Sequence, residues 1–137
     1  MAEDFEAEEV FYRNLKPLGN YREFAHGDPN GESLRDHLSK VEQEHEAQII
    51  AYLQSGYITA VAACIVQDVL DESIKLPVGF YQQTDFVWSW YSDLAYYVKT
   101  YHLTLPEEFT EHLKAKNWEI GAVPEKFVSL NLLRSNR

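Results

Sequence analysis

Hydrophobic residues recur along this chain with two different periods. Val41, His45, Ile49, Tyr52 and Leu53 fall on one side at helical spacing, with Glu42, Glu44, Glu46 and Gln48 largely elsewhere. That spacing predicts a helix from about Lys40 to Ser55. Gly56 follows as its stop, because glycine takes a left-handed conformation without a Cβ penalty. Tyr57 to Val66 reads Tyr-Ile-Thr-Ala-Val-Ala-Ala-Cys-Ile-Val, a length and β-branched content that suit a buried strand, although its alanines leave a helix open. Asp68, Asp71, Glu72 and Ser73 mark its exit. A second strand is predicted over Ile74 to Tyr81, with Pro77 at an edge or an end.

From Thr84 to Trp90, the aromatics Phe86, Trp88 and Trp90 alternate with Val87 and Ser89, which predicts a strand carrying three aromatics on one face. Ser92 is placed to cap a helix, with Asp93 at its positive end. Leu94, Tyr97, Val98 and Tyr101 then form an apolar stripe. Thr104-Leu105-Pro106-Glu107 matches a capping box with proline in the first turn. The helix it opens is predicted to run to about Lys116 and to bury Leu105, Phe109 and Leu113, with Asn117 as its stop.

Between Pro17 and Ser33, the residues Gly19, Asn20, Gly27, Asp28, Pro29, Asn30 and Gly31 deny regular hydrogen bonding and predict irregular chain. Ser33 is placed to cap a short helical turn through Leu38. The first ten residues carry five acids and read as a solvated helix face or a frayed end. The form of 118–137 stays unassigned. The expectation is therefore a single domain over 1–137 of the α+β class, with a small central antiparallel sheet and helices packed on one face.

A chain of 137 residues with 45% hydrophobic and 25% charged residues can build one core. Its 22 acidic and 12 basic side chains give a formal net charge of −10. Phosphate backbones and anionic membranes attract the opposite sign, so neither is an expected partner. The same charge speeds encounter with a basic protein. The single cysteine, Cys64, excludes an intramolecular disulfide, and its apolar neighbours predict a buried thiol. The start Met1-Ala2-Glu3-Asp4-Phe5-Glu6 lacks the positive, apolar pattern of a secretory leader, which predicts a cytoplasmic protein.

Catalytic patterns are sparse. Glu42 with His45, and Glu108 with His112, have helical spacings that can share a metal. The further carboxylates and second Glu-x-x-His motif of a di-iron bundle are missing, so no metal and no cofactor are predicted. No serine sits in a nucleophile elbow. An apolar setting disfavours a Cys64 thiolate. No glycine-rich phosphate loop occurs. A small enzyme assembled from His102, Glu108 and His112 is the alternative reading. A nucleic-acid mimic needs regularly spaced acids, and these are clustered or scattered.

The block 80–101 holds Phe80, Tyr81, Phe86, Trp88, Trp90, Tyr91, Tyr96, Tyr97 and Tyr101, nine of nineteen aromatics. Most are needed as core; outward members suit a binding surface, because Tyr and Trp bury large areas with few rotatable bonds. Asp85, Phe86, Tyr91, Asp93, Tyr96, Glu107, Glu108 and Glu111 are the expected members of an acidic, aromatic patch.

The run Thr84-Asp85-Phe86-Val87-Trp88-Ser89-Trp90-Tyr91-Ser92-Asp93-Leu94-Ala95-Tyr96-Tyr97-Val98 resembles a motif of small acidic bacterial proteins, Thr-Asp-Gly-x-Trp-x-Trp-Pro-x-Asp-Leu-x-Tyr-Tyr-Val. Tyr101-His102-Leu103-Thr104-Leu105-Pro106-Glu107-Glu108-Phe109 continues the likeness, which is good over 84–113 and loose over 45–116. Many proteins of that kind look like immunity proteins that accompany secreted polymorphic toxins. The resemblance implies a non-enzymatic role, stoichiometric binding of a cognate toxin, and the −10 charge favours a basic effector such as a nuclease. Two departures stand out: Phe86 replaces the motif's glycine and Tyr91 its proline.

Overall fold

The computed structural model describes residues 14–62, 64–76 and 79–124. The acidic segment 1–10 and the end of the chain from 125 lie outside the described residues. The described strands are β1 (Lys16–Pro17), β2 (Tyr57–Ala62), β3 (Gln67–Asp68), β4 (Asp71–Lys75), β5 (Phe80–Thr84) and β6 (Trp88–Tyr91). The helices are α1 (Glu46–Gln54), α2 (Leu94–Tyr101) and α3 (Glu107–Ala115), with a 3-10 turn over Leu34–His37. The class is α+β, as expected. A four-stranded sheet runs in the order β1-β6-β5-β2, and β3–β4 form a separate hairpin. The main sheet is mixed rather than antiparallel: β1 pairs parallel with β6, while β6–β5 and β5–β2 are antiparallel.

β6 organises the core. Its side chains alternate between two faces, and Trp88 and Trp90 point toward the helices. Trp90 is 1% exposed. Its indole nitrogen donates to the Leu53 carbonyl at 3.0 Å. Phe109 of α3 meets Trp88 and Trp90 edge-on at 5.4 and 6.0 Å, and Tyr52 of α1 meets Trp90 at 6.2 Å. The predicted stripes hold: Leu94, Tyr97 and Val98 are buried, as are Leu105, Phe109 and Leu113, while Tyr101 is half-buried.

Several local expectations are corrected. The first helix begins at Glu46, because His45 turns left-handed at φ 61°, and Val41 lies exposed before it. Gly56 is needed for space rather than for a left-handed turn: a Cβ there would lie 2.6 Å from Trp90 Cζ2. β2 is a partly exposed edge that ends at Ala62, and Cys64 beyond it is exposed, not buried. Ile74 and Tyr81 belong to different sheets, β4 and β5, instead of one strand. The predicted strand 84–90 is broken by a turn at 85–87, which removes Phe86 from the Trp88–Trp90 face.

Capping also differs. The Ser92 hydroxyl accepts from Tyr81 N and donates to the Gly79 carbonyl instead of capping α2. Pro106 is the N-terminal cap residue of α3, and no side chain caps that helix. Ser33 does cap the 3-10 turn, accepting from Arg35 N at 3.2 Å. Asn117 takes φ 55° just past α3, where a stop was expected. Among the described residues no helix is long and apolar enough to cross a membrane.

Candidate functional site

Thr84, Asp85, Phe86 and Val87 build the β5–β6 turn from their own side chains. Asp85 Oδ1 accepts from Val87 N (3.0 Å) and Trp88 N (2.7 Å), and Thr84 Oγ1 accepts from Phe86 N (2.9 Å). Short polar side chains that fold back on the backbone favour turns in this way. Asp85 Oδ2 accepts from the Tyr52 hydroxyl (2.5 Å) and lies 2.7 Å from His112 Nε2. This wholly buried carboxylate thus joins the turn to α1 and α3. Desolvation pushes its pKa up, but the bonds from Trp88 N, Tyr52, His112 and Val87 N outweigh it and hold the carboxyl below its ordinary value. Tyr52 responds in the opposite sense: burial, then the bond to Asp85, raise its phenol.

Phe86 stands at φ 74°, a conformation that glycine adopts without cost. The glycine of the resembling motif falls at this position, so the backbone keeps the turn while the side chain adds an aromatic ring. Phe86 is half-buried with its ring 5.3 Å from Tyr57, and Val87 beside it is 40% exposed.

Glu107, Glu108 and Glu111 are exposed on α3, the helix whose His112 meets the turn's Asp85. Lys16 pairs with Glu108 at 2.7 Å and Lys114 with Glu111 at 3.3 Å, both at the surface, where such pairs contribute only ~0–1 kcal/mol. An apolar tip and an acidic helix therefore adjoin.

The other expected patch residues are occupied internally. Asp85 and Asp93 are buried. Tyr96 is half-buried and donates to Asp68 Oδ2 at 2.7 Å, as does Tyr101. Asp68 also accepts from Leu70 N and Asp71 N, so one buried carboxylate pins the β3–β4 hairpin to α2. Burial, then the bond to Asp68, raise the Tyr101 phenol. Tyr91 is half-buried, stacked on His26 at 4.2 Å and on Phe80 at 5.1 Å.

The residues of the enzyme reading do not converge. His102 Nδ1 meets Glu46 Oε1 at 2.8 Å, His112 meets Asp85, and Glu108 meets Lys16. Among the described residues no three His, Cys, Asp or Glu side chains gather as a metal site.

A second aspartate–histidine pair lies past the other end of β6. His26 Nε2 meets Asp93 Oδ2 at 2.9 Å, and the imidazole stacks between Phe24 (4.7 Å) and Tyr91. Here His26 Nδ1 and Asp93 Oδ1 are buried without a hydrogen-bond partner. Each such orphan costs on the order of 1–3 kcal/mol. His26 borders two cavities, of about 350 and 770 Å³, and Asp93 lines the larger with Cys64, Glu72 and Lys75. Sequence reasoning missed His26, which is embedded in glycine-rich irregular chain, and it read Asp68 only as a strand exit.

Comparisons of the chain with protein-family models, with curated proteins and with solved structures give no match.

Proposed function

We propose that this protein is an immunity protein that neutralises a basic bacterial toxin by forming a stoichiometric complex. The observation that carries the reading is charge: a net −10 molecule displays Glu107, Glu108 and Glu111 on one helix beside the apolar tip Phe86–Val87. Exposed carboxylates steer a cationic protein during encounter, and a small apolar centre then slows its release. The resemblance over 84–113 points to the same role. On this reading Phe86, Glu107, Glu108 and Glu111 touch the toxin, Asp85 holds the turn that presents Phe86, and action is cytoplasmic and non-enzymatic.

The test uses the product of the reading frame next to this gene, purified and mixed with the full chain. The expected result is a one-to-one complex that abolishes the toxin's activity. Its association rate should fall by on the order of tenfold or more between low and high salt. Absence of a complex, or turnover of a substrate by this chain alone, overturns the reading.

A further inference from the structure

The two outer strands of the main sheet differ. β1 is two residues long and consists of Lys16 and Pro17, a charge and a proline of the kind that keep an edge from pairing further. β2 is six residues long and reads Tyr-Ile-Thr-Ala-Val-Ala, with no charge and no proline. A bulge at Thr59 is its one irregularity. Among the described strands it pairs with β5 alone. Ala60, Val61 and Ala62 are exposed, Val61 to 68%. An apolar, uncharged edge of this length is a template for a further strand. The chain returns to this edge just before the described residues end: the Tyr57 hydroxyl, at the start of β2, donates to the Gly121 carbonyl at 3.0 Å. Beyond 124, Val128, Leu130 and Leu132 alternate with Ser129 and Asn131, the two-residue period of a half-buried strand.

We infer that the segment 127–133 pairs with β2 as a fifth strand of the main sheet. The linking residues 122–126 extend to about 18 Å, enough to bring 127 from Gly121 onto β2 without crossing the molecule. Seven residues then cover about 23 Å, a match for the roughly 20 Å of β2. Ile58 pairs with Gln83 and Val61 with Tyr81, which puts both on the face of Trp90, where the helices pack. On that same face Val128, Leu130 and Leu132 continue the apolar layer, and Ser129 and Asn131 meet solvent. Charge favours this occupant. Lys126, Arg134 and Arg137 stand against Glu125 alone in 125–137, on a chain of net charge −10, so the segment is attracted to its own acidic body. Two copies of a −10 molecule repel, which makes a second chain the poorer occupant. The inference rests on the sheet edge and does not need the toxin reading.

The test is amide hydrogen exchange of the full chain, followed in 1H–15N spectra. Pairing protects every second amide of 127–133, together with the β2 amides that point away from β5, by at least about tenfold over an unstructured chain. That protection should not change on dilution. Leu130→Asp sets a charge on the covered face and should speed exchange in both sets about tenfold, while the amides shared by β5 and β6 stay protected and show that the variant folds. If the variant fails to fold, the pattern in the native chain decides by itself. The inference falls if 127–133 exchanges at the unstructured rate, or if consecutive amides are protected as in a helix. Protection lost on dilution assigns the β2 edge to a second copy and overturns it equally. So does a folded Leu130→Asp variant whose β2 amides exchange no faster than those of the native chain.

Discussion

Asp85 and Asp93 flank β6, and each meets a histidine through Oδ2, at 2.7 and 2.9 Å. Both carboxylates are buried. On the helix side, Asp85 closes every contact it opens: two backbone N–H groups, a tyrosine hydroxyl and His112 surround it. At the other end, Asp93 and His26 leave one buried atom each unpaired. The same residue pair thus has two different energetic consequences. A saturated network in a low-dielectric interior specifies packing, whereas a half-saturated one carries the cost of its unpaired buried atoms.

The sharpest way to break this comparison is at Asp85. Asp85→Ala strands Tyr52, His112 and two turn amides in the interior, and the expected loss is about 3–5 kcal/mol in urea unfolding. The pH dependence has a definite sign. The folded carboxyl is held below its ordinary value of 3.8, so its contribution is present above that pH and is lost as pH falls through the folded pKa. Unfolding below pH ~4 should therefore be less steep in Asp85→Asn than in the native chain. Tyrosines set the alkaline limb. Burial, then the Glu32 charge, push Tyr21 up to about 12. Stability from this phenol is complete below its ordinary value of 10.0 and fades as pH rises through about 12.

Gly56→Ala probes the packing of the same helix side. The new methyl meets Trp90, a fully buried ring, and the expected cost is about 1–3 kcal/mol by thermal or urea unfolding. Asp93→Asn should cost under ~1 kcal/mol, since one of its oxygens is already unpaired. A loss as large as that at Asp85 would erase the contrast between the pairs. Phe86→Gly should also stay within ~1 kcal/mol, because relief of the left-handed backbone offsets the lost contact with Tyr57. If the proposed toxin complex forms, this change should weaken it severalfold in a binding assay, as the ring is part of the apolar tip.

The helices of this fold were legible because their apolar stripes are local. Leu94, Tyr97 and Val98, and then Phe109 and Leu113, mark buried faces by spacing alone. The turn at Asp85 was not, because Phe86 continues an aromatic alternation that hides a left-handed residue; only the glycine of the resembling motif signalled it. Ser92 illustrates a second limit. It carries the chemistry of a helix cap, but Gly79 and Tyr81 reach its hydroxyl first. Likewise, Asp85 and Asp93 read as surface acids because their partners, His112, Tyr52 and His26, come from distant parts of the chain. Glu107, Glu108 and Glu111 are exposed, as the helical period alone requires by placing them opposite Phe109 and Leu113.

The contrast between the two pairs is tested most directly by urea unfolding of Asp85→Asn and Asp93→Asn side by side. Asp85→Asn should lose at least ~1 kcal/mol more than Asp93→Asn, because it disturbs a fully paired carboxylate. Equal losses would contradict it.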